Sequence, residues 1–142
     1  MSVIDESTDF GALAARHLRE DQSIWLTTVG RTGAPAPNPV WFWWDGGDTV
    51  HIHSLPDAAR VKHIDRNGNV SLNFPGTSAG GDIVVLSGEA ALEPAGADAD
   101  ADAEYAAKYA PGFERLGLSA EQFAARYSTP IRVKVTKLRG HG

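Results

Sequence analysis

The stretch that most constrains this chain is "PVWFWW", residues 39–44. Side chains alternate along a strand, so Val40, Phe42 and Trp44 point one way and Trp41 and Trp43 the other. Neither face carries a polar group. A strand in a sheet with one wet side would alternate apolar with polar, whereas a strand apolar on both faces needs cover on both. Phe42 and Trp44 are expected to pack in the interior, which leaves Trp41 and Trp43 on the outer face. "GRTGAPAPN" (30–38) precedes the run as a Gly- and Pro-rich turn, and "DGGD" (45–48) follows it as a tight hairpin turn.

The rest of the chain supplies partners for such a strand. Residues 23–29, 49–55, 69–75, 83–93 and 130–138 read as further strands, with a bulge or bend at Gly88 in the 83–93 strand. Helices are expected at 8–21, 56–67, 98–111 and 119–127. The first is capped by Thr8 or Asp9, with Phe10, Leu13, Ala14 and Leu18 on one face. The second has Pro56 and Asp57 in its opening turn. The last opens with Ser119 and Gln122 at capping-box spacing. About six short antiparallel strands in 142 residues would leave costly edges unless they closed. The expected fold is mainly β, a six-stranded antiparallel barrel with a few short helices. No repeat or linker divides residues 1–142, so one domain is expected.

Composition removes several function classes. Cysteine is absent, which excludes disulfides, thiol nucleophiles and thiolate metal sites. The net charge of −5 argues against a general nucleic-acid surface. No stretch approaches the roughly 18 apolar residues of a membrane helix, and the N-terminus has no signal-peptide pattern. The chain therefore reads as cytoplasmic, with no membrane partner.

Most motif-like stretches dissolve when their ligands are counted. "DADAD" from Asp98 resembles the start of a calcium loop. Its sixth position is Ala103 rather than Gly and its twelfth is Tyr109 rather than Glu, so it reads as a charged helix start. His51 and His53 share one face of a strand, but no third ligand is identifiable, and no metal is expected. They read as hydrogen-bonded strand residues, one of them near a ligand. There is no Gly-x-Ser-x-Gly elbow, no Gly-x-Gly-x-x-Gly and no P-loop. If the chain is an enzyme, a bound cofactor carries the chemistry.

"HSLPDAARVKHI" (53–64) is more informative. A strand ends at Ser54, a helix starts near Pro56, and Arg60 and Lys62 follow. A hydroxyl, the free amides of a helix start, a guanidinium and an ammonium can converge on one anion. The alternative is an ordinary solvated helix surface. Arg60 and Lys62, two apart, do not share a helix face, so convergence requires help from the strand end or the loop.

"WLTTVGRTGAPAPNPVWFWWDGGDTVHIHSLPDAARVKHIDRNGNVSLNF" resembles the pyridoxamine-phosphate-oxidase-like split β-barrel proteins, and most of all their actinobacterial branch that uses the deazaflavin coenzyme F420. The similarity runs from about residue 12 to 138 and rests on the order of its motifs: "TT-x-x-x-x-G-x-P", "PVWF-x-WDG", a strand ending in Ser, a basic pair, then "R-x-x-x-V-S-L". The close "GLSAEQFAARYSTPIRVKVTKLRG" is similar to the end of that branch. The resemblance implies a homodimer of six-stranded split barrels with two cofactor sites along the subunit interface. The cofactor would lie along Asn38, Pro39, Val40, Trp41 and Phe42. Ser54, Arg60 and Lys62 would hold its phosphate, with His53 and Val61 beside them. Trp41 and Trp43 would face the cofactor and the dimer mate, to which the last strand is a candidate contributor.

The activity so implied is that of an F420H2-dependent reductase, passing a hydride to an electron-poor double bond or a quinone-like substrate. FMN on the same scaffold, or a flavin or deazaflavin carrier without turnover, are the alternatives. Outside 60–66 the sequence shows no second basic cluster for a pyridoxamine phosphate, which argues against vitamin B6 oxidation. No catalytic residue is assigned. Tyr105, Tyr109 and Tyr127 can donate protons, but the sequence does not place them.

Overall fold

The computed structural model describes residues 2–142. In chain order the elements are α1 (Asp9–Glu20), β1 (Ile24–Val29), β2 (Pro35–Val40), β3 (Trp43–Trp44), β4 (Thr49–Ser54), α2 (Ala59–Arg66), β5 (Asn69–Asn73), β6 (Ile83–Leu92), α3 (Ala99–Leu116), α4 (Ala120–Arg126) and β7 (Thr129–His141). The strands form one antiparallel sheet in the order β2-β1-β5-β6-β7-β4-β3.

That order dictates the shape. β2 and β3 stand at opposite edges of the sheet, yet only Trp41 and Phe42 separate them in sequence. Three Cα–Cα steps span at most about 11 Å, so the sheet has to curl until its edges nearly meet. The result is a barrel whose hydrogen-bonded ladder is interrupted at one seam, the split β-barrel. The strand expected at 39–44 is therefore two strands joined by a break, and taking them as one bent strand recovers the expected six.

β2 also begins earlier than its composition suggests. Pro35, Pro37 and Pro39 alternate along it, opposite Val29, Thr27 and Trp25 of β1. Their ring nitrogens fall on the side away from β1, at the open edge, where no donor is needed. The barrel interior is filled by alternating residues such as Leu26, Phe42, Ile52, Leu72, Leu86 and Val133, all essentially inaccessible. The register of β6 against β7 shifts between Ser87 and Gly88, the bulge expected at that glycine.

The helices hold further corrections. Thr8 caps α1 by accepting from the Gly11 amide, and Ser119 and Gln122 complete a reciprocal capping box on α4. α2 starts at Ala59, three residues later than expected; Leu55–Ala58 is a turn closed by Ala58 N–H donating to Leu55 O at 3.2 Å. α3 runs through Pro111 to Leu116 instead of stopping at 111. Ala107, whose carbonyl loses its partner there, is not packed in the interior and Pro111 is exposed, so water can satisfy the freed carbonyl. β7 extends to His141 because β6 pairs with it along its whole length. Among the described residues, no helix is long and apolar enough to cross a membrane.

Candidate functional site

α3 and α4 form a small second layer over the outer face of the seam. Tyr105, Tyr109, Phe113 and Phe123 pack there as a cluster apart from the barrel interior, with Trp41, Trp43 and Tyr127 against it. Trp41 lies flat on Tyr109, ring centres 4.4 Å apart and planes within 3°, and is stacked on Phe123 at 5.8 Å. The outward faces of Trp41 and Trp43 are thus partly covered within the chain itself.

Between this layer and the seam lies a cleft of about 300 Å³. Pro39, Val40 and Trp41 line it from β2 and the seam, with Ser23 beside them. His53 enters from β4, Arg60 from α2, Tyr105 and Leu116 from α3, Phe123 from α4, and Tyr127 from the segment before β7. A smaller hollow of about 100 Å³ shares His53, Tyr105, Phe123 and Tyr127 and reaches Asp102.

Arg60 gives the cleft its charge. One guanidinium nitrogen donates to Ser54 Oγ at 3.0 Å, and Ser54 donates onward to the Leu55 carbonyl at 3.0 Å. The buried Nε has no hydrogen-bond partner. Among the described residues no carboxylate lies within ion-pair distance of Arg60. Burial lowers the pKa of the guanidinium, which nevertheless stays charged at any physiological pH. No side chain caps α2 at Ala58, so the amides of its first turn are not taken by a cap. A half-buried, unpaired cation held by a hydroxyl is the chemistry that an anion completes.

The sequence-derived residues divide accordingly. Pro39, Val40, Trp41, His53 and Arg60 line the cleft, and buried Ser54 reaches it through Arg60. Asn38 is exposed on the edge strand and lines neither hollow. Val61 is half-buried and its amide donates to Ala58 O at 3.0 Å. Lys62 points to solvent, so the structure does not bring it to Arg60. Phe42 faces the barrel interior with 0% exposure, and its backbone is engaged by α3. Phe123, Leu116 and Ser23 line the cleft without any sequence expectation, and Tyr105 and Tyr127 gain a place the sequence did not give them. A signal existed: Tyr105, Tyr109 and Phe113 recur at four-residue spacing, as do Phe123 and Tyr127, which marks an aromatic helix face.

His53, Tyr105 and Tyr127 are the polar side chains shared by the two hollows. His53 Nε2 stands 3.3 Å from Asp102 Oδ1, and the rings of His53 and Tyr105 meet edge to face at 4.4 Å. Burial lowers the His53 pKa; Asp102 pulls it up and His51 pushes it further down. Tyr105 Oη lies near the His53 backbone without hydrogen-bond geometry and has no partner. Burial raises its pKa well above the usual phenol value, so it remains protonated.

The split barrel, with an unpaired arginine beside an aromatic cleft, has counterparts among known proteins. The chain belongs to the pyridoxamine 5'-phosphate oxidase family, whose model matches residues 12–141. This is a family of flavin-binding split barrels whose members are oxidoreductases. Solved structures agree on the fold. A Listeria innocua protein described as a candidate pyridoxamine 5'-phosphate oxidase superposes with a TM-score of 0.65 at 19% identity, covering 90% of this chain and 91% of that one. An F420 reductase gives 0.62 at 19% identity, covering 87% and 94%. An FAD-binding protein from Mesorhizobium loti gives 0.63 at 11% identity, covering 87% and 86%. No curated protein matches the chain significantly.

Proposed function

We propose that this protein is an F420H2-dependent reductase. Its cleft would hold the phosphate of the deazaflavin tail on Arg60 and Ser54 and the ring against Trp41. The observation that carries the reading is the half-buried Arg60, fixed by Ser54 and unpaired by any carboxylate among the described residues, at the edge of an aromatic cleft. The bound deazaflavin would supply a hydride to an electron-poor double bond or quinone-like acceptor. The chain's own part is to hold the anion, orient the ring and keep water from the reacting face. The motif order around "PVWF-x-WDG" supports deazaflavin over FMN, and the missing second basic cluster weighs against a phosphorylated pyridoxamine substrate.

A cleft of about 300 Å³ is at the small end of ligand sites. It suits a ring and leaves a long tail outside, so a second copy of the chain is proposed to complete the site across the open β2 side.

The test is titration with F420 and, separately, FMN, followed by fluorescence of the cleft tryptophan. The expected result is micromolar F420 binding, weakened about 10- to 100-fold by Arg60→Ala, the range of a lost hydrogen-bonded charge contact. Lys62→Ala, made singly, separates the guanidinium from the solvated ammonium. Tight FMN binding without F420 affinity overturns the deazaflavin reading in favour of a flavin enzyme on the same scaffold.

A further inference from the structure

We infer that His53, beside the Asp102 carboxylate, is the general acid of this cleft, delivering the proton that must follow a hydride onto a conjugated carbon–carbon double bond. The inference rests on the reductase reading and adds to it the residue that supplies the proton.

Three geometric facts carry it. His53 lines both hollows, so its side chain is at their junction. Its Nε2 stands 3.3 Å from a carboxylate oxygen of Asp102. At this ion-pair distance the Asp102 charge favours the protonated imidazolium. Finally, the His53 side chain is 14% exposed and that of Asp102 37%, so the carboxylate links a sheltered imidazole to water. An acid that turns over needs both shelter at the reacting side and a route for reprotonation.

Two other protic groups of the cleft, Tyr105 and Arg60, serve less well. Tyr105 is held protonated by burial and is a hydrogen-bond donor rather than a proton source. Arg60 does not release a proton. Around His53, α3 contributes Asp102 and Tyr105, the chain after α4 contributes Tyr127, α2 contributes Arg60, and its own strand contributes His51, which lies opposite Arg132 of β7. An anion on Arg60 adds a second negative charge on the cleft side and favours the imidazolium when the site is filled.

A bound reduced deazaflavin would supply a hydride to the β-carbon of an α,β-unsaturated ketone, the displaced π pair moving toward the α-carbon and oxygen. The His53 imidazolium would give its proton to the α-carbon, completing the second C–H bond. The carbon–carbon double bond would gain two electrons, the deazaflavin would lose two, and the neutral imidazole would take a proton back from water.

The experiment has two arms. In the cofactor-free protein, NMR titration of His53 is expected to shift to lower pH in Asp102→Asn; an unmoved midpoint overturns the pairing. With F420H2 and cyclohex-2-enone, His53→Gln is expected to lose about 100-fold in kcat, the low end of general acid catalysis. Measured at saturating F420H2, the parent's kcat is expected to fall as pH rises while the variant's profile is flat. A kcat for His53→Gln close to the parent value, with F420 bound, overturns the acid role alone. Failure of the unaltered protein to bind F420 at all overturns the reductase reading itself.

Discussion

Tyr109 and Phe42, 67 residues apart, are joined by hydrogen bonds to both ends of one backbone residue: the Phe42 amide donates to Tyr109 Oη at 2.8 Å, and that hydroxyl lies 2.9 Å from the Phe42 carbonyl and 2.7 Å from the Gln22 carbonyl. Lys108 Nζ donates to the same Phe42 carbonyl at 2.9 Å and sits 3.7 Å from the centre of the Phe42 ring. Phe42 is where the ladder breaks between β2 and β3, so its backbone groups have no strand partner. They are buried, and a buried amide without a partner is costly. α3 supplies what a neighbouring strand would have supplied.

Removing that hydroxyl is therefore expected to destabilise the protein although the ring remains. Tyr109→Phe leaves the Phe42 amide buried without an acceptor, a loss of about 1–3 kcal/mol. Chemical denaturation monitored by circular dichroism measures it. An unchanged midpoint would mean that the seam backbone does not depend on α3 for its partners.

Gly112 makes a second prediction, with a sign opposite to the usual one. Gly→Ala inside a helix ordinarily stabilises by about 1 kcal/mol. A Cβ at Gly112 would lie 2.8 Å from Trp41 Cη2. Trp41 packs on Tyr109 and on Phe123, which limits how far its ring can give way. Gly112→Ala should cost about 1–3 kcal/mol as overpacking, together with a change in tryptophan emission. A stabilised variant would show that α3 can lift off the seam.

Lys108 should give the protein a pH dependence on the alkaline side. Burial pushes its pKa down to about 8, despite the opposing pull of Asp21, against 10.5 in an open chain. Between those values the unfolded chain holds a proton that the folded one has released, so stability rises with pH from about 8. Tyr105 and Tyr109, whose pKa values burial raises, reverse the trend above about 10. Lys108→Met should flatten the rise between pH 8 and 10 in denaturation series; an equal slope in both proteins contradicts it.

His17 should act in the neutral range and in the opposite sense. Burial lowers its pKa, but its nitrogens meet Asp21 at 2.8 Å and Asp82 at 3.0 Å, and the net shift is upward from 6.5. The pair of contacts ties α1 to the loop before β6. A raised value in the folded state means stability that is complete below pH 6.5 and lost as pH climbs through the folded pKa. His17→Gln should lack this loss, read from thermal midpoints between pH 5.5 and 8. A His17 signal titrating below 6.5 by NMR would contradict the ion pairs.

Much of the barrel could be read from the chain because its signals are local. Strand alternation, the bulge at Gly88, the Thr8 cap and the Ser119–Gln122 box each depend on residues within a few positions of one another. The early start of β2 could not be read, since proline is harmless there only because β2 is an edge. The course of α3 through Pro111 depends likewise on that turn facing water.

The site shows the same division. The chain by itself determined that "PVWFWW" needs cover on both faces and that a hydroxyl and a guanidinium stand six residues apart at a strand-to-helix turn. Only the tertiary structure decided that Arg60 turns inward to Ser54 while Lys62 turns out, because side chains two apart on a helix diverge and the seam lies on one side of α2. It also decided what covers Trp41: an aromatic face of α3 and α4, more than 60 residues downstream, meets the tryptophan at the break in the ladder. A meeting between segments so far apart is fixed by packing, which no local pattern encodes.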